Sequence, residues 1–529
     1  MTSTGATFTE LARRSKAYAE APRFWLWATG ALALAHALLI LTSPTPPLHD
    51  YAGHLARIHI MHSLGESEFL QRYYEYDWGL RHNMGTDLLI FALAHVMPIE
   101  LAGRIVVALI PALTFLGLAL VRLQVHGRID SLILLSAPFV LGTWFGWGFL
   151  NFSFSIALAL LGFSLWLAIR RRPALTRSGA LLGIGFVVWL FHLTGWGTLC
   201  ILVFAWEMAD AIGARWRDLR VVIAAGLQAA WRSLPLAAPL LIMAFTVSGS
   251  GDLGIQFESP ITRLRAIETS LAFTWDRVDR YCVFLLILAG AAALFFRLTK
   301  VSSGLALAAG LLFVAFLISP AGLAGGGSVG DRLTTPLALV AATALTWRAD
   351  LRNPLQMALI ACISVGLAFV AIGRFAYTTN AMQGYNREYA RNLELIEPMP
   401  EGARVIVLVV DFMGAGRPSM TYLPNMAVVR RDAFSNMQWE EIAGQPLVLK
   451  YWREGPPVSG DEGLITGYDQ AGRPTGMLQR VILEEPLERF DYVWVVNSNR
   501  AAAPDLPQLD LVAQTDRTAL YRIVHAAEP

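Results

Sequence analysis

Residues 24–62 read FWLWATGALALAHALLILTSPTPPLHDYAGHLARIHIMH. Phe24–Leu41 carries no Asp, Glu, Lys or Arg, and a helix of that length approaches the about 30 Å of hydrocarbon in a bilayer. Pro44, Pro46 and Pro47 then stop it, because a proline ring removes a backbone donor and clashes with the preceding turn. From Leu48 the apolar residues recur at helical spacing. On that second helix Asp50, His54 and Arg57 stand at i, i+4 and i+7 and share one face. A carboxylate, an imidazole and a guanidinium converging at a membrane surface can act as base, proton partner and anion clamp. Asp50 is equally suited to cap the helix, with its neighbours merely solvated.

The rest of the chain fits a membrane setting. Of its 529 residues 55% are hydrophobic and 16% charged, against about 25% charged in soluble domains. Ten further apolar stretches follow the first, near Leu101–Val121, Ser131–Thr143, Phe149–Ile169, Ser178–Phe191, Leu193–Ala211, Ser233–Val247, Tyr281–Phe296, Ser303–Ser319, Leu333–Thr346 and Leu355–Ile372. Met84–Met97 is short, contains Asp87 and His95, and ends at Pro98; it reads as a surface helix. With about eleven spans and a cytoplasmic tail at 1–23, every short basic loop falls on one side: Arg13/Arg14/Lys16, Arg122/Arg128, Arg170–Arg172/Arg177, Arg215/Arg217/Arg220, Arg297/Lys300 and Arg348/Arg352. The opposite face then receives the loops 43–100, 248–280 and 320–332 and everything after Arg374.

Charge and proline density rise after residue 374. Short β-branched and aromatic runs appear at Ala403–Val410, Pro446–Lys450, Tyr492–Asn497 and Leu520–Val524, and Tyr385–Leu395 reads as helical. The expected architecture is a polytopic α-helical module over 24–374 and a small α/β domain over 375–529. Net charge is +2, so nothing favours nucleic acid. Cys200, Cys282 and Cys362 lie in apolar runs without a zinc or disulfide spacing. The tail runs polar before the first apolar stretch and is not a cleavable signal.

Other polar groups gather on the same face. Asp77 follows an aromatic run, and Asp87 sits within an apolar helix, where a charge is costly without a partner. Asp331 and Arg332 end a glycine-rich loop, Arg332 placed to hold a phosphate at headgroup depth or to snorkel against Asp331. Asn151 and His192 stand at span ends, as substrate contacts or as interhelical hydrogen-bond residues. The histidines 49, 54, 59 and 62 do not put three ligands on one face, so no metal and no other cofactor is indicated. Gly414-Ala415-Gly416 is a turn-like pair without the spacing of a phosphate loop.

A span, a long external loop opening with an aspartate on an interfacial helix, many further spans and a final extracytoplasmic domain resemble the GT-C superfamily of membrane glycosyltransferases. The strings Asp50-Tyr-Ala-Gly-His54-Leu-Ala-Arg57, Trp147-Gly-Phe-Leu-Asn151-Phe and Phe191-His192-Leu are similar to a bacterial branch of that set that reads D-x-x-N/G-H-L-A-R in its first loop. The resemblance implies an inverting transferase moving a sugar from a polyprenyl-phosphate donor to a lipid, glycan or protein acceptor in the periplasm. Asp50 would be the base, Asp77 or Asp87 a second acid, and Arg332 the phosphate ligand. His54, Arg57, Asp331, Asn151 and His192 would be substrate contacts, and a multi-pass bacterial inner-membrane location would follow. Another lipid-linked group transferase, or a transporter or assembly protein of envelope glycans, shares the topology; neither a serine, cysteine or paired-histidine nucleophile nor an internal repeat favours one.

Overall fold

The computed structural model describes residues 10, 17, 21–246, 255–273, 277–322, 327–409, 419–439, 446–453, 487–496 and 507–525. Most of the basic tail and Gly414–Gly416 lie outside them. Among the described residues eight helices are long and apolar enough to cross a membrane: Pro22–Leu41, Ile99–His126, Leu150–Ile169, Ala174–Phe191, Leu193–Ile212, Leu219–Met243, Arg277–Phe295 and Pro354–Ile396. The protein is a multi-pass helical membrane protein.

Three expected spans take another form. Ser131–Thr143 is a 3-10 turn, Ser131–Leu135, followed by the short helix Ala137–Val140, and the apolar side chains of both are buried. An apolar run of this length is as well suited to a protein core as to lipid. The stretch near Ser233 is the second half of a longer helix, continuous with Leu219–Ser233 through the turn Leu234–Ala237. Leu333–Thr346 holds only the helix Thr334–Thr343 before entering the strand β3 (Leu345–Trp347), which pairs antiparallel with β2 (Thr299–Val301). Ser303–Ile318 forms as expected but is shorter than the eight, and Met84–Met97 contains the helix Gly85–Ala94.

Two compact units are present. The first comprises Met1–Thr42, Leu80–Thr86 and Val106–Thr379; the second comprises Ser43–Gly79, Asp87–Ile105 and Asn380–Pro529. Inside the first unit two buried carboxylates anchor the irregular segment. Asp130 Oδ1 accepts from Arg122 Nη2 at 2.5 Å and from the Leu132 amide at 3.1 Å. Its Oδ2 accepts from Thr346 Oγ1 at 2.6 Å and the Trp347 amide at 3.1 Å. Asp279 accepts from Arg374 Nε at 3.0 Å and the Phe273 amide at 2.9 Å. Arg374 also donates to the carbonyls of Pro138 and Leu141 at 3.0 Å each and of Leu271 at 2.7 Å. A buried charge is tolerated only when its hydrogen-bonding positions are filled this way.

The second unit is built on a five-stranded sheet. Its strands are β4 (Arg404–Val409), β5 (Phe434–Ser435), β7 (Tyr492–Val496), β8 (Leu509–Gln514) and β9 (Thr518–Ile523), in the order β5-β4-β7-β9-β8. β4 runs parallel to β5 and β7, whereas β9 is antiparallel to β7 and β8. Every residue of β7 is buried, the composition expected of a strand covered on both faces. The first loop joins this core. Ala56, Ile60 and Met61 from the helix Tyr51–Ser63 pack in one cluster with Ile406, Leu408, Val493 and Val495. Strand β1 (Tyr74–Tyr76) pairs antiparallel with β6 (Leu447–Leu449), Tyr74 opposite Leu449 and Tyr76 opposite Leu447.

Replacing Asp130 by Ala strands the Arg122 guanidinium and is expected to cost about 3–5 kcal/mol. A fall in thermal midpoint of the detergent-purified protein measures it; an unchanged midpoint would show that water reaches Arg122.

Candidate functional site

In the second unit the helix Tyr51–Ser63 begins at Asp50, whose side chain makes no capping bond to the first turn. Asp50 therefore stands at the cap position without doing the work of a cap. It is about one-tenth exposed, and His49 Nε2 lies 3.7 Å from its Oδ1. Two turns on, Arg57 is almost fully buried and donates through Nη2 to Asp87 Oδ2 at 2.5 Å and to His54 Nδ1 at 3.0 Å. His54 Nδ1 is 3.8 Å from Asp87 Oδ1. Accepting from a guanidinium requires a lone pair on Nδ1, so the proton of neutral His54 sits on Nε2. Burial, and then the Arg57 charge, hold this imidazole well below its ordinary range.

An aromatic wall closes over this face. Trp439 lies 5.1 Å from the His54 ring and 5.6 Å from the Arg57 guanidinium carbon, and its Nε1 donates to Tyr422 Oη at 3.1 Å. Tyr422 in turn meets the His49 ring edge-on at 5.3 Å. Gly53 makes the approach possible: a Cβ there would sit 2.8 Å from Trp439 Cη2. The structure joins His54, Arg57 and Asp87 directly, and Asp50 lies beside His49. Asp77 differs: it is exposed, and its amide donates to the Pro446 carbonyl at 2.7 Å beyond the end of β1.

In the first unit the residues 327–332 and the end of the helix Ala174–Phe191 meet. His192 caps the next helix, its Nδ1 accepting from the Thr194 amide at 3.0 Å. Arg332 Nη1 stands 3.2 Å from His192 Nε2, Nη2 donates to the Gly327 carbonyl at 2.9 Å, and the guanidinium carbon lies 4.2 Å over the Phe149 ring. Burial first, then Arg332, keep His192 well below its usual range. A neutral imidazole has one lone-pair nitrogen, so the Thr194 amide and the Arg332 guanidinium compete for it. Asp331 beside it is pushed up by burial and by Glu258. Arg263, 1% exposed, packs its Nη1 against Gly330 and donates it to the Phe316 carbonyl at 2.9 Å.

Asn151 acts on the backbone. Its Oδ1 accepts from the Thr86 amide at 2.8 Å and its Nδ2 donates to the Asn83 carbonyl at 3.0 Å. It thereby fixes the turn where the helix Gly85–Ala94 begins, and Asn83 there has a positive φ of 67°. Sequence reading missed Trp439, Tyr422 and Arg263, because an aromatic or basic residue brought in from a distant segment carries no periodic signal. Among the described residues no group of three His, Cys, Asp or Glu side chains is arranged to hold a metal ion.

No family model matches the chain, and no curated protein matches it. A solved structure does. The crystal structure of ArnT from Cupriavidus metallidurans bound to undecaprenyl phosphate aligns over 94% of this chain and 99% of that one, with a TM-score of 0.51 at 13% identity. The chain therefore shares the fold of that structure.

Arg57→Met would leave the Asp87 carboxylate buried without its cation, an expected loss of about 3–5 kcal/mol, whereas Arg57→Met with Asp87→Leu should recover most of it; paired thermal melts decide. Because His54 and His192 bind protons more weakly folded than unfolded, stability should fall as pH drops below about 6.5, the unfolded value. The fall should be shallower in a His54→Gln variant followed from pH 8 to pH 5.5.

Proposed function

We propose that the protein is an inverting glycosyltransferase that moves a sugar from a polyprenyl-phosphate donor to a lipid or glycan acceptor at the outer face of the bacterial inner membrane. The observation that carries this reading is the facing of His192 Nε2 and Arg332 Nη1, 3.2 Å apart. A guanidinium held beside a neutral imidazole and over the Phe149 ring suits an anionic oxygen best. Phosphate supplies such oxygens. The likeness to a fold crystallised with undecaprenyl phosphate supports a lipid-borne one.

Such a donor leaves as an anion, so negative charge grows on its phosphate oxygens as the bond to the sugar breaks. Fixed donors in a partly dehydrated site stabilise that growing charge more than the ground state. Arg332 takes this role, and His192, kept neutral by burial, adds a directional N–H without a second full charge. The acceptor hydroxyl attacks the anomeric carbon, a new C–O bond forms, and the sugar–phosphate C–O bond breaks with its electron pair going to the phosphate. The acceptor proton passes to a carboxylate.

Asp50 is assigned as that base. It is shielded yet not used in capping, whereas Asp87 is bonded to Arg57 within a buried pair. An ion-paired carboxylate is a poor proton acceptor. Asp87 therefore orients Arg57 and His54, and Asp77, exposed at a strand end, takes no chemical role.

The test is transfer of labelled sugar from a polyprenyl-phosphate donor by the protein in liposomes, alongside direct binding of undecaprenyl phosphate. Asp50→Asn should lower turnover by about 10²–10⁴ and leave lipid binding intact. Arg332→Ala should weaken binding of the phosphate and lower turnover by about 10²–10³. Wild-type binding by Arg332→Ala would remove the phosphate site from this loop.

A further inference from the structure

The helices Tyr51–Ser63 and Gly85–Ala94 each end at a histidine. His62 stands in the last turn of the first, and His95 directly follows the second. Both belong to the second unit. Their rings meet edge-on, with centres 4.8 Å apart and planes at 74°. Phe91 touches both, 4.8 Å from the His95 ring and 5.9 Å from the His62 ring, and packs with Leu64 against the apolar core of the unit. Spacing along the chain gives no hint of this pair, because its members come from different helices.

The ring nitrogens are sorted for a metal ion. His95 Nδ1 lies 2.9 Å from the Phe91 carbonyl, which can only accept, so the neutral ring keeps its lone pair on Nε2. His62 Nδ1 lies 3.2 Å from Ser63 Oγ, and with that hydroxyl accepting His62 takes the same tautomer. Among the described residues neither Nε2 makes a hydrogen bond. Metal-binding imidazoles are oriented in this way, by a bond from the nitrogen facing away from the ion. His62 is half-buried and His95 exposed, so an ion from water reaches both.

The ring separation suits a shared ion. With metal–nitrogen bonds of about 2.0–2.1 Å and a ring nitrogen about 1.1 Å from its ring centre, two imidazoles at about 90–110° around one ion have centres about 4.5–5.2 Å apart. The observed 4.8 Å falls inside that range. Edge-on ring packing gives a similar spacing, but it does not require both Nε2 atoms to be free. Charge favours a cation as well. The carboxyl end of a helix is partly negative, and two such ends carry these rings. Glu66 adds negative charge that acts on His62. His59 is engaged elsewhere, its Nε2 bonded to Asp432 Oδ1 at 2.7 Å.

We propose that His62 and His95 bind one late first-row divalent ion, such as Zn²⁺, Ni²⁺ or Cu²⁺, through their Nε2 atoms, with water in the remaining positions. Imidazole nitrogen selects these ions over Mg²⁺ and Ca²⁺, which take oxygen ligands. The ion fastens together the ends of two helices that the Arg57–Asp87 pair already joins further upstream. Neither histidine has a part in the proposed transfer, and occupancy is read without turnover.

The experiment uses the full-length protein, free of any affinity tag, in phosphatidylcholine nanodiscs. Calorimetric titration with Zn²⁺ and with Ni²⁺ should show one site that Mg²⁺ and Ca²⁺ do not fill. The electron paramagnetic resonance spectrum of the Cu²⁺-loaded protein should carry the splitting of two imidazole nitrogens. His62→Gln and His95→Gln should each weaken binding by about tenfold or more and keep the wild-type melting temperature in metal-free buffer. Zn²⁺ should raise that temperature in wild type and in neither variant. The proposal is overturned if Zn²⁺ and Ni²⁺ do not bind wild-type protein, if both variants bind like wild type, or if the copper spectrum shows fewer than two nitrogens.

Discussion

Withdrawing a guanidinium or carboxylate from water costs several kcal/mol even after relaxation, so each buried ion in this chain must bring its counterion. Three arginine–aspartate pairs meet that demand: Arg57–Asp87, Arg122–Asp130 and Arg374–Asp279. Each joins segments that composition alone would leave independent. Asp130 ties the 3-10 turn after the second long helix to the strand Leu345–Trp347, and Arg374 gathers two carbonyls from the irregular segment around Pro138 and one from Leu271. The Arg57–Asp87 pair joins the two helices of the first loop. Each pair is thus a constraint on where the chain may turn as much as a source of stability.

The same electrostatics separate the chemical roles of similar residues. Asp50 and Asp87 are both buried acids in one loop, but Asp87 is bonded to the Arg57 guanidinium whereas Asp50 lies beside the His49 ring. His54 and His192 both lie near arginines, which along with burial keep them neutral, so each acts as a directional N–H rather than as a cation. Arg57 is locked in a pair under Trp439, while Arg332 sits over Phe149 beside His192. One arginine is therefore suited to holding the protein's own groups and the other to holding a ligand's oxygen.

Much of this was readable in advance. The apolar stretches at Phe24, Phe149 and Leu355 became long helices because about twenty residues without charge admit few other structures in lipid. The face of Asp50, His54 and Arg57 followed from helical spacing once the prolines had ended the first helix. The runs at 404–409 and 492–496 became paired strands because β-branched and aromatic residues suit a pleated, buried surface. Helix count was less readable: Ser131–Thr143 is apolar yet irregular, since a capping aspartate, Pro138 and Gly142 interrupt it and a protein core accepts what lipid would not.

By itself the sequence determined the membrane character, the position of the first loop and the residue types that loop presents, because these depend on composition and on periods of a few residues. Only the tertiary structure decided that Asp87 rather than Asp77 joins Arg57, that Trp439 and Tyr422 cover His54, and that Arg332 meets His192. Those choices rest on contacts between segments up to several hundred residues apart, governed by packing and by the need to pair every buried charge. Neither leaves a local pattern along the chain.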